Sequence, residues 1–150
     1  MDSNDKKEVL IIGAGNVGRG AIGGTFSESG YKLLFYDIMQ TKMDLLKDKG
    51  EYIINRIGNK ESWFQIVKNF EIINSNSNND IINRIAEIDL IACCVYEGAF
   101  NDVCQNISRA IIMRSKNMKK NLNILLCVNF LGAKEYFDKC ITENLRNDRI

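Results

Sequence analysis

The chain has 150 residues, the length of one domain with a sizeable core. Hydrophobic residues make up 45% and charged residues 26%, the balance of an ordinary globular fold, and a formal net charge of +1 argues against a broad electrostatic grip on nucleic acid or an anionic membrane. The absence of histidine excludes a histidine base, and five cysteines without a C-x-x-C pair read as reduced thiols of a cytoplasmic protein rather than as disulfides or a metal site.

The N-terminal stretch Met1 to Lys7 is polar and leads into a strand, so it does not read as a signal peptide, and no apolar run approaches the length of a membrane span. Glu8 to Ile12 is a short continuous apolar run, as expected of a strand buried on both faces of a parallel sheet. Glycines follow, and Val17, Ala21, Ile22 and Thr25 then recur at helical spacing, which predicts that they form the inward face of a helix ending near Gly30. Lys32 to Tyr36 reads as a second buried strand ending at Asp37, and Met39 to Lys49 as a second helix closed by Gly50.

Glu51 to Ile57 and Ser62 to Ile73, on either side of Gly58-Asn59, carry aromatic and β-branched residues and predict an antiparallel excursion over 51–73. A polar loop, 74–79, precedes a short helix over Asp80 to Glu87 with Ile81, Ile82 and Ile85 inward. Asp89 to Val95 reads as a buried strand. Phe100, Val103, Ile107, Ala110 and Ile111 mark one face of the next helix, whose basic end (Arg114, Lys116, Lys119, Lys120) reads as a solvated terminus complementing the dipole. A strand over Asn123 to Val128 and a helix carrying Ala133, Tyr136, Phe137, Cys140 and Ile141 complete the chain. This alternation predicts an α/β fold with a mostly parallel sheet and helices on both faces.

Gly13-Ala14-Gly15-Asn16-Val17-Gly18 matches G-x-G-x-x-G between a predicted strand and a predicted helix, the context of a Rossmann dinucleotide site. Gly13 lets the chain turn sharply, Gly15 lets a pyrophosphate approach the backbone, and Gly18 lets helix and strand pack closely. Unpaired N–H groups at the helix start suit phosphates. The other reading is a glycine-rich turn with no ligand. Asp37 falls about 20 residues beyond the glycines, where a carboxylate accepts from the ribose hydroxyls and opposes a 2′-phosphate. This points to NAD, although Lys42 one turn on keeps NADP open, and Asp37 also reads as a helix cap. Arg19 reads either as a phosphate contact or as an exposed helix arginine.

The stretch Gly13-Ala14-Gly15-Asn16-Val17-Gly18-Arg19-Gly20-Ala21-Ile22-Gly23 resembles the opening of the mannitol-1-phosphate 5-dehydrogenases, within the polyol-specific long-chain dehydrogenase family. Phe35-Tyr36-Asp37-Ile38, the strand Ile88 to Val95, and the strand Leu122 to Asn129 resemble that family's later elements in order and spacing. Val95-Tyr96-Glu97 replaces the family's Val-Gly-Pro turn, and Val128 replaces its glutamate before Asn129.

The resemblance implies an NAD-dependent oxidoreductase of mannitol metabolism. Pyrophosphate would lie at Gly13, Ala14, Gly15, Asn16, Val17 and Gly18, ribose at Asp37 and Ile38, and nicotinamide near Cys94, Val95 and Asn129. It also implies that residues 1–150 are the cofactor domain. The catalytic residues would come from a second, helical domain absent here, so no catalytic residue is assigned within the chain. Hydride would pass between the cofactor and a polyol or sugar phosphate. Two alternatives stand beside it: a non-catalytic nucleotide-binding module, and the cofactor domain of another two-domain dehydrogenase.

Overall fold

A computed structural model describes residues 7–59, 61–117 and 121–147. The polar stretch over residues 1–6 and the basic residues Lys119 and Lys120 lie outside them. Strand β1 (Glu8–Ile12) pairs in parallel with β2 (Lys32–Tyr36) on one side and with β6 (Leu90–Cys93) on the other. Beyond β2 lies β5 (Phe70–Ile72), and beyond β6 lies β7 (Asn123–Leu126), both parallel. The sheet order is therefore β5-β2-β1-β6-β7. Central strands with helices on both faces need apolar residues at every position, and Val9, Leu10 and Ile11 are completely buried.

Alternate residues of β1 feed two cores. Leu10 and Ile12 join Leu34, Ile91 and the inward faces of α3 (Asn78–Glu87), α4 (Phe100–Lys116) and α5 (Ala133–Asn147). Val9 and Ile11 join Leu33, Phe35 and Ala92 with Met43 and Leu46 of α2 (Gln40–Lys49). The α3 face is as expected, with Ile81, Ile82 and Ile85 buried. Ser77 caps that helix, its hydroxyl accepting from the Asn79 N–H at 3.3 Å.

Three expectations are corrected. The excursion after α2 is shorter than 51–73: β3 (Tyr52–Ile57) and β4 (Ser62–Val67) form their own antiparallel pair, but Phe70–Ile72 returns to the main sheet and runs parallel to β2. Leu33, buried in β2, is a better partner for Phe70 than a third hairpin strand with no core behind it.

The first helix also turns a different face inward. It opens as a π-helical stretch, Val17–Ile22, with the Gly23 N–H donating to the Gly18 carbonyl, and continues as α1 (Gly23–Glu28). Val17 is 52% exposed, and Ala21 and Thr25 are exposed; Gly18, Gly23 and Gly24 are buried instead. Of the four expected residues Ile22 packs against the core, with Phe26 beside it; the rest of the contact face is glycine backbone, which hydrophobic spacing does not register.

Finally, Arg114 is not part of a solvated end. It is 3% exposed, and its guanidinium donates to the carbonyls of Ile85, Ala86 and Ile88 and to Asp89 Oδ1 at 3.0 Å. The last turn of α3 leaves carbonyls without intrahelical donors, and Arg114 supplies them from the neighbouring helix.

Candidate nucleotide-binding site

The chain leaves β5 on one side of β1 and re-enters the sheet at β6 on the other, so a crevice opens between the carboxyl ends of β1 and β6. Gly13 forms its floor. It turns with φ +95°, and its N–H donates to the Tyr36 carbonyl at 2.8 Å. A Cβ at Gly13 would stand 2.5 Å from the Cys94 carbonyl oxygen and 2.9 Å from Val95 Cγ1, so only glycine passes here. The predicted residues Gly13, Cys94 and Val95 are thereby brought together.

Gly15, Asn16 and Val17 are exposed above this floor, and no side chain caps the helix that they open. A Cβ at Gly15 would meet nothing within 4 Å, leaving open space over the backbone where a phosphate would approach. Gly18 is the reverse case. A Cβ there would stand 2.0 Å from the Gly13 carbonyl oxygen, so it serves the packing of helix on strand rather than ligand access.

Asp37 follows β2 and faces the same loop. Its Oδ2 accepts from the Ala14 N–H at 2.8 Å and its Oδ1 from the Met39 N–H at 2.9 Å. The carboxylate thus ties the glycine loop to the entry of α2. A carboxylate offers about four lone-pair sites, so these two bonds leave acceptor capacity for ribose hydroxyls. Ile38, 82% exposed, stands beside it as an apolar surface, and Lys42 is exposed in the first turn of α2. A dinucleotide fits these residues: an open glycine loop, a partly free carboxylate and an apolar rim.

At the other end of the crevice the ladder continues past the strands, the Cys94 N–H donating to Ile12 at 2.7 Å and the Cys127 N–H to Cys93 at 2.8 Å. Burial pushes the Cys94 thiol up to about 12, and Cys127 also upward, so both are uncharged at neutral pH. Both side chains pack against the core, and neither is a nucleophile. Tyr96 and Glu97 lead outward into solvent. Asn129, three residues beyond β7, is exposed on the same edge.

Sequence reasoning missed how the β3–β4 hairpin braces the loop. The Tyr52 hydroxyl donates to the Arg19 carbonyl at 3.0 Å, and Gln65 Nε2 donates to the Gly24 carbonyl at 2.9 Å. A Cβ on Gly24 would stand 2.3 Å from an Arg56 terminal nitrogen, so the helix glycines admit the hairpin. Burial raises Tyr52 to about 12, and it remains a donor at neutral pH. Gly23 and Gly24, where an added Cβ would meet Tyr52 and Arg56, were the available signal that something packs close to this helix, whereas Gly20 faces open space.

The family model described as the mannitol dehydrogenase Rossmann domain matches residues 7–150. The mannitol-1-phosphate 5-dehydrogenase of Buchnera aphidicola is 35% identical over 139 residues, covering 92% of this chain and 36% of that protein. That of Ajellomyces capsulatus is 30% identical over 145 residues, covering 96% of this chain and 37% of that protein. The chain therefore spans little more than a third of the length of these relatives. Among solved structures, lactate dehydrogenase from Eimeria maxima with NADH and oxamate superposes with a TM-score of 0.51 at 14% identity, covering 97% of this chain and 42% of that one. A Rossmann-fold NAD(P)-binding family protein from Shigella flexneri gives 0.51 at 15% identity, covering 93% and 63%. These two likenesses establish the fold. With the family model matching nearly the whole chain, and the glycine loop seated at the switch point of a parallel sheet, the chain belongs to the mannitol dehydrogenase Rossmann-domain family.

Proposed function

We propose that the chain is the NAD(H)-binding domain of a cytoplasmic oxidoreductase resembling mannitol-1-phosphate 5-dehydrogenase. The observation that carries this reading is the Asp37 carboxylate bonded to the Ala14 N–H, which sets a ribose acceptor beside an open glycine loop. Gly15, Asn16 and Val17, on the turn that Gly13 and Gly18 shape, would hold the pyrophosphate, Asp37 and Ile38 the adenosine ribose, and Cys94, Val95 and Asn129 the nicotinamide end. When bound, the dinucleotide supplies hydride transfer at nicotinamide C4. The chain's own part is to orient that ring between the carboxyl ends of β1 and β6.

The Asp37 charge opposes a 2′-phosphate, which favours NAD over NADP. The substrate pair implied by the relatives is mannitol 1-phosphate and fructose 6-phosphate. Oxidation of an alcohol requires a base within hydrogen-bond reach of its hydroxyl. Asp37 lies at the ribose end, Glu97 leads outward into solvent, and the Cys94 and Cys127 thiols stay protonated, so the base is assigned to a second domain. The isolated chain is expected to bind NADH and to turn over no polyol.

Calorimetric titration tests the reading. NADH should bind more tightly than NADPH. Equal or tighter NADPH binding overturns the choice of NAD, and binding of neither overturns the site. An absorbance assay with mannitol 1-phosphate and fructose 6-phosphate tests the division of labour. Turnover by the isolated chain that disappears in Gly15→Val would place a catalytic group within these residues.

A further inference from the structure

Arg19 stands apart from the other arginines that are not exposed. Arg56 donates to Gln65, Arg84 to Glu71, and Arg114 to the carbonyls after α3. Arg19 Nε is buried and has no hydrogen-bond partner among the described residues. Folded proteins rarely leave such a donor without an acceptor, because its hydration is lost and nothing replaces it. The side chain lines a cleft of about 250 Å³ between the first helical turn and β3, walled by Asn16, Gly20 and the strand from Tyr52 to Asn55. The lining contains a guanidinium, two amide side chains and a phenol, and no carboxylate.

The cleft has its walls fixed relative to each other by the fold: the Tyr52 hydroxyl donates to the Arg19 carbonyl, and Gln65 to that of Gly24. Its volume is below the roughly 300–1,000 Å³ of pockets for drug-sized ligands, and it suits a single compact polar group. A planar guanidinium fork with no protein carboxylate to occupy it matches the oxygens of a phosphate. Asn16 belongs both to the glycine loop and to the cleft wall, so the two spaces adjoin.

We propose that this cleft is an anion subsite in which Arg19, flanked by the Asn16 and Asn55 amides, receives a phosphate group. The phosphate comes either from the dinucleotide as it passes the glycine loop or from a separate phosphate ester. The first source rests on the dinucleotide reading above; the second does not.

The test is calorimetry in low-chloride buffer with four probes: NADH, ADP-ribose, inorganic phosphate and fructose 6-phosphate. Arg19→Gln should weaken binding by about tenfold to a hundredfold, the range for a hydrogen bond to a charged group. Asn55→Asp, at an exposed position, places a carboxylate on the cleft wall and should weaken the same probes. Both variants should melt with the wild type. Losses confined to NADH and ADP-ribose assign the phosphate to the cofactor; losses confined to the other two assign it to a separate ester. Wild-type binding of every probe by both variants overturns the subsite. So does a loss in Arg19→Gln that Asn55→Asp does not share, because the anion then lies outside the cleft. If the wild type binds neither nucleotide but binds phosphate through Arg19, the dinucleotide reading fails and the subsite stands. A wild type that binds none of the four overturns both.

Discussion

The carboxylate of Asp37 accepts a hydrogen bond from the backbone N–H of Ala14 at 2.8 Å, joining the end of the second strand to the middle of the glycine loop. Asp37 is therefore both a proposed ligand for ribose and a fastener of the loop that meets the phosphates. Asp37→Ala should lower NADH affinity by about 1.5–3 kcal/mol and narrow the gap to NADPH. Because the Met39 N–H loses its acceptor too, stability should also fall by about 1 kcal/mol, as for a lost cap. Calorimetry and thermal melting read the two effects separately, and a melting change alone would leave Asp37 a fastener only.

Gly15 and Gly18 should respond in opposite ways. Gly15→Val points into open space, so the domain should melt like the wild type while NADH binding is lost. Gly18→Ala drives a methyl into the Gly13 carbonyl and should cost about 1–3 kcal/mol or more of stability, as overpacking does. Circular dichroism melts with parallel titrations check both. Retained NADH binding in Gly15→Val would move the nucleotide elsewhere.

Arg114→Leu should destabilise the fold without changing NADH affinity. The change strips donors from the carbonyls of Ile85, Ala86 and Ile88, each a buried acceptor whose loss of a partner costs about 1–3 kcal/mol. Asp89, its ion-pair partner, is mostly exposed and returns to water at little cost. Urea denaturation measures the loss. Stability equal to the wild type would mean that water replaces the guanidinium.

Stability should depend on pH through Glu71, which joins β5 to Lys32 of β2 and Arg84 of α3 at 2.8 and 3.0 Å. The hydrogen bond from Lys32 holds its carboxyl below the ordinary value of 4.5. A lowered folded value means that the contribution is fully present above 4.5 and is lost as the pH falls below it, through the folded value. Glu71→Gln should flatten that part of the melting-temperature profile. All three groups are partly exposed, so the effect is modest and shrinks with salt. An unchanged slope in the variant would assign acid sensitivity to other carboxylates.

The central strands were legible because both faces of the sheet are covered and their sequences are unbroken apolar runs. Glu8–Ile12 and Lys32–Tyr36 have the expected bounds. The glycine motif was legible for the same reason, since its context is a strand and a helix. What failed was periodicity applied to residues without side chains: the inward face of the first helix is made of Gly18, Gly23 and Gly24 together with Ile22 and Phe26. Arg114 was misread although the signal was there. Phe100, Val103, Ile107 and Ala110 step by three and four residues along α4, and the next step lands on Arg114. The charge suggested solvent, while the position lay on the buried stripe. No local pattern could place Tyr52 against Arg19, because that contact depends on how the hairpin folds back over the helix.

The position of β1 in the sheet has a consequence for how the polypeptide is made. Its pairing with β2 is available early, whereas Leu10 pairs with Ile91, which is synthesised much later. Until Leu90–Cys93 emerges from the ribosome, a strand apolar on both sides is an edge with unsatisfied N–H and C=O groups, a template for mispairing between nascent chains. Chains truncated between Ile72 and Leu90 retain that edge and should collect in inclusion bodies, whereas those extending through β7 and α5 should not.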